Sequence, residues 1–438
     1  MLARPRLARH LLALTLVVSG AHAAFAFADV PVGTLTLSDA LKLAKERNGR
    51  LGAAIADLDG ARAQKAIAQG AFLPTLTPNY DYSTGRRNTY TGSPRISANE
   101  QISTTSLVAS WQLLDSGARQ ARLRGSRNSL LAQELTATDT LRQVLFSVHQ
   151  SFFDALRAQE LLRVQEAQRT RATAILEQTK LRVEVGDAPR KDILQATADQ
   201  LNSEVSVLQA DNQVTDSLAT LRAVVGLGEQ KEPMSLERVV EPKLARLTEP
   251  LTDVTQRGMS RRADIAAQRK QVEATRFDVK LAEIDGGIQY SLDTTATRIF
   301  GKDVSDRKLI SFTATVPLFD GARSKETVRS RRASLRSQEL RLLQSEREAA
   351  AEIESAYKAY NQNAARLEAA NAALAAAQEN FDAANEAMRL GAGSLIDILT
   401  AQVSLVTAES NRVQALYDAL ISDVRYRLAV GEPLPGEE

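Results

Sequence analysis

The chain of 438 residues contains no cysteine, only three histidines and only 5% aromatic residues. Without cysteine it has no disulfide framework, no thiolate nucleophile, no cysteine-ligated zinc and no acceptor for an N-terminal lipid. His10 and His22 lie in the N-terminal segment, which leaves His149 as the one imidazole of the remaining chain. This disfavours enzymes built on Ser-His, Cys-His or His-metal sites, and we expect no catalytic residue, cofactor or metal.

Long apolar runs and a strong charge of one sign are also missing. No stretch of 18 apolar residues occurs, which excludes a membrane protein built from spanning helices. Lys and Arg number 55 against 53 Asp and Glu. The small basic excess comes from Arg4, Arg6 and Arg9, so we expect no nucleic-acid partner.

The N-terminus has the pattern of a secretion signal. The three arginines precede the apolar run Leu11–Val18, and small residues follow with A-x-A sites that end at Ala23 and Ala28. A positive segment, a short apolar segment and a small-residue exit are typical of a signal peptide. We expect residues 1–28 to be removed and the protein to leave the cytoplasm.

An internal repeat organises the rest of the chain. The segment Val185–Ala196 resembles Leu390–Ala401, 205 residues later. The same offset relates Leu113-Leu114-Asp115 to Leu318-Phe319-Asp320, and Val225-Gly226 to Val430-Gly431. Three matches at one spacing indicate a duplication, with repeats at residues 29–226 and 251–431. Residues 227–250 form a linker with a small side structure, and the tail 432–438 reads as disordered.

Each repeat begins with an amphipathic helix and continues with two strands. The helices are predicted at Ser38–Gln69, with Ser38 as N-cap, and at Leu251–Ile284. Apolar residues then alternate with period two over strands of about 10–12 residues, and Arg86–Glu100 is predicted as the exposed loop of the first pair. The alternating residues are Leu76, Pro78, Tyr80, Tyr82, Leu107, Ala109, Trp111, Leu113, Ile288, Tyr290, Leu292, Ile310, Phe312, Ala314, Val316 and Leu318.

Two very long helical stretches follow the strands. No proline interrupts Ala118–Val185 or Ala322–Leu390, and about 68 helical residues span about 100 Å. Apolar residues recur every three to four positions, in these stretches and in the helices that return after the glycine-containing turns, which predicts coiled-coil seams. The seams comprise Leu141, Leu145, Val148, Phe152, Ala155, Leu162, Leu194, Ala198, Leu201, Val205, Leu208, Leu367, Leu374, Phe381, Met388, Leu399, Val403, Val406, Val413, Leu420 and Val424.

Four strands cannot close a barrel, and an open sheet edge is untenable in a bilayer. Several chains that share one barrel would remove the edges, and the strand length suits a tilted membrane strand. The alternative is a secreted structural coiled-coil rod with a β-rich head, which would be soluble without detergent.

The duplicated strand–strand–long helix–turn–helix plan, with Val185-Gly186 and Leu390-Gly391 before Asp192-Ile193 and Asp397-Ile398, resembles the TolC family of outer-membrane efflux proteins. The resemblance covers essentially the whole chain after the signal peptide. It implies a mainly α protein with a small membrane β-barrel: a homotrimer with a twelve-stranded barrel in the outer membrane and a helical tunnel through the periplasm. A periplasmic adaptor and an inner-membrane ABC or RND-type transporter would complete an efflux or type I secretion system, for which this chain is the passive exit duct.

The resemblance also assigns roles to the tip residues. Gly186, Asp187, Gly391 and Gly393 are expected at the periplasmic entrance, either as an adaptor-docking surface or as simple turns. Asp397 is expected in a ring of acids that constricts the closed entrance, although Thr400 stands where the family often has a second acid. Asp192 is its counterpart in the first half, or a partner of Arg190 or Lys191. The alternative for both acids is stabilisation of a helix N-terminus.

Overall fold

The computed structural model describes residues 34–89, 96–228, 235–238, 245–285, 287–301 and 304–437. The expected signal peptide lies outside these residues. Among the helices of the described ranges, none has the length and apolar character needed to cross a membrane.

Each half of the chain has two short helices, two strands and two long helices, in that order. The first half contains α1 Leu37–Arg47, α2 Gly49–Gly70, β1 Thr75–Thr89, β2 Ile96–Leu114, α3 Ala118–Glu184 and α4 Arg190–Val225. The second contains α5 Leu251–Arg261, α6 Ala263–Ile284, β3 Gln289–Phe300, β4 Ser305–Thr315, α7 Arg323–Arg389 and α8 Leu395–Val430. Helices α3 and α7 both have 67 residues, and α4 and α8 both have 36. Helix α7 begins 205 residues after α3, and α8 begins 205 residues after α4.

The predicted single helix at the start of each half is wrong, because each is two helices. The backbone is extended at Asn48 and at Arg262, with ψ of 117° and 121°. Asn48 caps α2 by accepting from the amides of Arg50 and Leu51, and its amide donates to the carbonyl of Val224. The helical periodicity continues across these breaks, so it did not reveal them. Thr36, not Ser38, is the N-cap of α1.

The strands form one antiparallel sheet in the order β1-β2-β3-β4. The predicted loop Arg86–Glu100 is too wide, since β1 continues to Thr89, β2 starts at Ile96, and Arg86 pairs with Asn99. Consequently β1 and β2 have 15 and 19 residues, beyond the expected length, whereas β3 and β4 have 12 and 11. Polar side chains do not prevent backbone pairing between strands. The polar composition of this segment therefore led to a predicted loop that was too long. Within the described chain, β1 and β4 are edge strands.

The helices continue the sheet as a wall of helices side by side. Near the strands, α3 packs between α2 and α6, and α6 packs against α7; towards the far tip, α3 lies between α4 and α8, and α8 packs against α7. The wall therefore has a first flank, formed by β1, α2 and α4, and a second flank, formed by β4 and α7.

The core is deepest where the short helices meet the middle of α3. Leu145, Val148, Phe152 and Ala155 are fully buried there, which confirms that part of the predicted seam. The seam of α4 differs, because four of its apolar residues are left uncovered by the rest of the described chain. Leu194, Leu201, Val205 and Leu208 are 74%, 52%, 52% and 65% exposed.

The tail expected to be disordered is an ordered strap over its described residues, up to Glu437. Leu434 is buried in the same core as Leu145. The guanidinium of Arg142, itself nearly buried, donates to the carboxylate of Glu437 at 2.9 Å and to the carbonyl of Glu432 at 2.5 Å. Proline and glutamate content suggested disorder, but tertiary contacts hold the segment.

Candidate functional site

The two turns between the long helices share one geometry. In the first, the amide of Gly186 bonds to the carbonyl of Val183 and that of Asp187 to the carbonyl of Arg182. The amides of Gly391 and Ala392 make the same pair of bonds in the second turn. This is a Schellman motif, in which a residue with positive φ ends the helix. Gly186 and Gly391 have φ of 79° and 73°, which explains glycine at both positions.

Gly393 is required by a close approach. A Cβ atom there would lie 3.0 Å from the amide nitrogen of Met388 and 3.1 Å from the carbonyl carbon of Ala387. The second turn is therefore pressed against the end of α7, whereas a Cβ at Gly186 or Gly391 would meet nothing within 4 Å.

The two acids of the first turn behave differently. Asp187 accepts an ion-paired hydrogen bond from Arg182 at 2.7 Å, so it ties the turn to the end of α3. Asp192 lies in the first turn of α4, where the helix dipole favours a negative charge. Its expected pairing with Arg190 or Lys191 is absent from the ion pairs of the described residues.

Asp397 lies in the first turn of α8 and forms a capping box with Ser394. Its carboxylate accepts from the Ser394 amide at 3.0 Å and from the Ser394 hydroxyl at 2.7 Å. These bonds hold the pKa of the exposed Asp397 carboxyl below its usual value, so the group is ionised at neutral pH. Thr400 turns its hydroxyl back to the carbonyl of Ile396. The structure thus gives Asp397 a helix-capping contact in the isolated chain.

The sheet has one apolar and one polar face, because residues paired across strands point to the same side. Trp111 pairs with Leu292, and Leu292 pairs with Phe312. On the other face Ser110 pairs with Asp293, and Asp293 pairs with Ser311. The predicted apolar residues within the strands therefore lie on a single face, except Leu113, because a β-bulge makes Leu114 the partner of Tyr290. Ile288, Val316 and Leu318 lie outside the strands.

The polar face is the concave one. Along β3 beyond Leu292, polar-face residues such as Thr295 and Thr297 are half-buried, whereas the residues between them, such as Thr294 and Ala296, are exposed. The same alternation runs along the middle of β2. Side chains crowd on the inner side of a curved sheet and spread on the outer side, so the sheet curves around its polar face.

A polar cleft of about 310 Å³ lies between α3, α6 and α7, and sequence reasoning missed it. Asp139 of α3 and Asp264 of α6 both line it. Burial and the nearby Asp264 raise the pKa of Asp139 to about 6, against the opposing effect of Arg262, Arg142 and Arg50. In the sequence, the one signal at this site is an acid, Asp139, two residues before the start of the α3 seam.

Replacing Asp139 with asparagine should stabilise the protein at pH 7. A carboxyl whose folded pKa is raised costs stability above about pH 6, and the cost disappears as the pH falls towards the unfolded value of 3.8. Allowing for solvent screening at this half-buried site, we expect a gain of about 1 kcal/mol at pH 7. Thermal unfolding in detergent at pH 7 and pH 4 measures it.

The control for this variant is Asp57→Asn, at an exposed position of α2, which should change neither midpoint. A gain for Asp139→Asn that is equally large at pH 4 would contradict the assignment to ionisation.

A helical wall that continues into a curved sheet, with an apolar convex face and a polar concave face, is the architecture of a membrane channel protein. The profile of the family described as "Outer membrane efflux protein" matches residues 40–227 and 254–432. The chain belongs to the outer membrane efflux protein family, and it is an outer-membrane export channel with a periplasmic helical part.

Individual relatives agree with this over nearly the whole length. Outer membrane protein TolC of Vibrio cholerae is 24% identical over 92% of this chain and 94% of that protein. The proteases secretion protein PrtF of Dickeya chrysanthemi is 23% identical over 90% of this chain and 88% of its own. The crystal structure of the Campylobacter jejuni CmeC outer membrane channel matches with a TM-score of 0.82, at 18% identity, over 92% and 87% of the two chains. Membership of this family excludes the alternative prediction, a secreted structural rod.

Proposed function

We propose that three copies of the chain close into one continuous conduit, with a shared twelve-stranded barrel above a helical tunnel. The single chain leaves β1 and β4 as sheet edges and leaves both flanks of the wall open. The two flanks are different surfaces, so contact between the second flank of one copy and the first flank of the next is head-to-tail, and it closes as a ring of three when each copy is rotated by about 120°.

The flanks are complementary at matching heights. The exposed apolar residues of α4 begin next to the tip, and Leu201 lies about 16 Å above it along the helix. About 20 Å from the tip, near the height of the next exposed apolar residue, Val205, α7 exposes a run of small residues that includes Ala375 and Ala376. Leucine side chains packed on alanines allow two helices to approach closely, as in coiled coils.

The orientation of the barrel follows from the two sheet faces. The convex apolar face, with Trp111, Leu292 and Phe312, would contact lipid, and the concave polar face would line the lumen. This apolar-outside, polar-inside curvature is the observation that carries the proposal.

We infer that the tips are the docking surface for a periplasmic adaptor, which links the duct to an inner-membrane ABC or RND-type transporter. The turns at Gly186, Asp187, Gly391 and Gly393 lie at the end of the wall farthest from the barrel. Their glycines keep the backbone bare, which lets helical hairpins of a partner come close. As a passive duct, the chain needs no catalytic group of its own.

Purified protein in planar bilayers tests the conduit directly. We expect discrete, long-lived conductance steps and a detergent-solubilised trimer. Absence of conductance, together with a chain that stays soluble without detergent, would overturn the proposal.

For gating, we propose that three copies of Asp397 converge at the entrance, with Asp192 nearby. Like charges around a narrow axis repel one another and attract cations. Asp397→Asn should raise conductance and lower the cation-to-anion permeability ratio by about threefold in dilute salt. Bilayer recordings in a salt gradient measure both quantities.

Ser394→Ala is the matched control, because it removes the capping hydroxyl and retains the charge at Asp397. It should cost about 1 kcal/mol of helix stability and leave selectivity unchanged. If both variants alter selectivity equally, the cap and not the charge is responsible, and the gating assignment is wrong.

The cargo is tested in the cell. A deletion strain that loses one or a few large proteins from its culture supernatant would mark this chain as the duct of a type I secretion system. An unchanged supernatant with new sensitivity to drugs or bile salts would mark it as an efflux duct.

A further inference from the structure

Asp293 lies on the concave face of the sheet, where hydroxyl groups surround it and no cation within the part of the chain that the structure describes pairs with it. It lies on β3, four residues from the end where the sheet joins the helical wall. The hydroxyl of Ser110 donates to one of its carboxylate oxygens, and the hydroxyl of Ser291 donates to the other at 3.0 Å. Two hydrogen bonds therefore hold the carboxylate on the concave face of the sheet.

The row of residues across the sheet at this height consists of hydroxyls and this one acid. Thr75 pairs with Ser110, Ser110 with Asp293, and Asp293 with Ser311. The next concave row outward, which includes Val108 and Thr295, has no charged residue.

No cation of the described residues neutralises Asp293. No ion pair within the described ranges includes it, and the nearest cation of the concave face along the register is Arg307, opposite Thr297. That pair lies four residues further along β3, about 13 Å away. The negative charge is therefore uncompensated on the face that surrounds the lumen.

We propose that Asp293 is a second selectivity-determining residue, which forms a ring of three carboxylates at the inner end of the barrel lumen. This rests on the proposed trimeric conduit. Twelve tilted strands enclose about 24 Å between backbones, and the screening length is about 10 Å at 0.1 M salt and about 3 Å at 1 M. The ring favours cations in dilute salt and loses its influence in concentrated salt. It acts in series with the helical tip, at the opposite end of the wall.

Selectivity of the intact trimer in planar bilayers tests the ring. Asp293→Asn should lower the cation-to-anion permeability ratio about twofold at 0.1 M salt and have no effect at 1 M. Asp293→Glu should retain the wild-type ratio, and Asp293→Lys should move the preference towards anions. An unchanged ratio for both Asn and Lys variants, with pores of normal conductance, overturns the ring. Loss of all pores in the unmodified protein would instead refute the conduit, so the two failures are distinct.

The natural absence of cysteine allows an independent test of where the side chain lies. In a membrane-embedded trimer, the Asp293→Cys thiolate should react with a water-soluble cationic methanethiosulfonate, forming a mixed disulfide as methanesulfinate leaves. Thr294→Cys, the next residue and on the convex face, is the matched control and should stay unlabelled. Labelling of position 294 in place of 293 would place Asp293 towards lipid and overturn the proposal.

Discussion

Leu201→Asp should prevent trimer assembly and leave a folded monomer in detergent. Leu201 is 52% exposed in the single chain, so the substitution removes little from the fold of that chain. In the proposed ring the same side chain is covered by α7 of the next copy, and the variant would bury three unpaired carboxylates. Each costs several kcal/mol, and we expect this cost to outweigh what the apolar contacts between α4 and α7 contribute to assembly. Size-exclusion chromatography with light scattering gives the mass.

A matched variant separates this effect from a general effect of charge on α4. Gln195→Glu adds a negative charge at an exposed position of the same helix, about a quarter turn from the apolar stripe. It should assemble normally. A trimer of normal stability for Leu201→Asp would show that the stripe on α4 is not an interface, and circular dichroism of the monomer would identify a variant that had unfolded instead.

The long helices were the most predictable part of the fold. The sequence predicts them at 118–185 and 322–390, and the structure has Ala118–Glu184 and Arg323–Arg389. The end of each helix has a local sequence signal, because a glycine with positive φ follows a long stretch without proline. The breaks at Asn48 and Arg262 lack a proline and a glycine with positive φ, so that signal does not mark them. A side-chain cap holds the first break and an ion pair holds the second, although the Asn48-Gly49 pair is a turn signal that was overlooked.

The sites divide along the same line. The positions of the turn glycines and of Asp397 in the fold were predictable because a turn and a helix N-terminus have local signatures; their roles at an entrance stay a prediction. Asp293 was missed because the strand prediction used only the apolar residues. The residues between them form the polar face, and Asp293 is one of these. Asp139 was missed because its raised pKa arises from burial between packed helices and from Asp264 of α6, more than a hundred residues away in the sequence. Turns and helix ends can be predicted from neighbouring residues in the sequence. The environment of a side chain that lies between distant helices cannot be predicted in this way.

Arg142→Ala should give the largest loss of stability of any single change considered in this protein. Arg142 is 7% exposed and holds the strap through Glu437 and the carbonyl of Glu432. Removing it takes the cationic donor from the partly buried carboxylate of Glu437, which keeps only the amide of Leu434, and leaves the carbonyl of Glu432 without this donor. We expect a cost of about 3 kcal/mol. The thermal midpoint in detergent should fall by about 10 °C.

A second pair of variants separates the contribution of the strap to stability from that of Arg142, the residue that holds it. Deleting residues 432–438 should destabilise the protein by a similar amount, because it also uncovers the core contact of Leu434, and adding Arg142→Ala to the deletion should cost little more. Arg127→Ala, at an exposed position of the same helix, is the control and should shift the midpoint little. Since Arg142 also lowers the pKa of Asp139, its loss should move the titration of the cleft to higher pH. If the deletion leaves the midpoint unchanged, the tail does not hold the fold, and the contacts of Arg142 carry no stability.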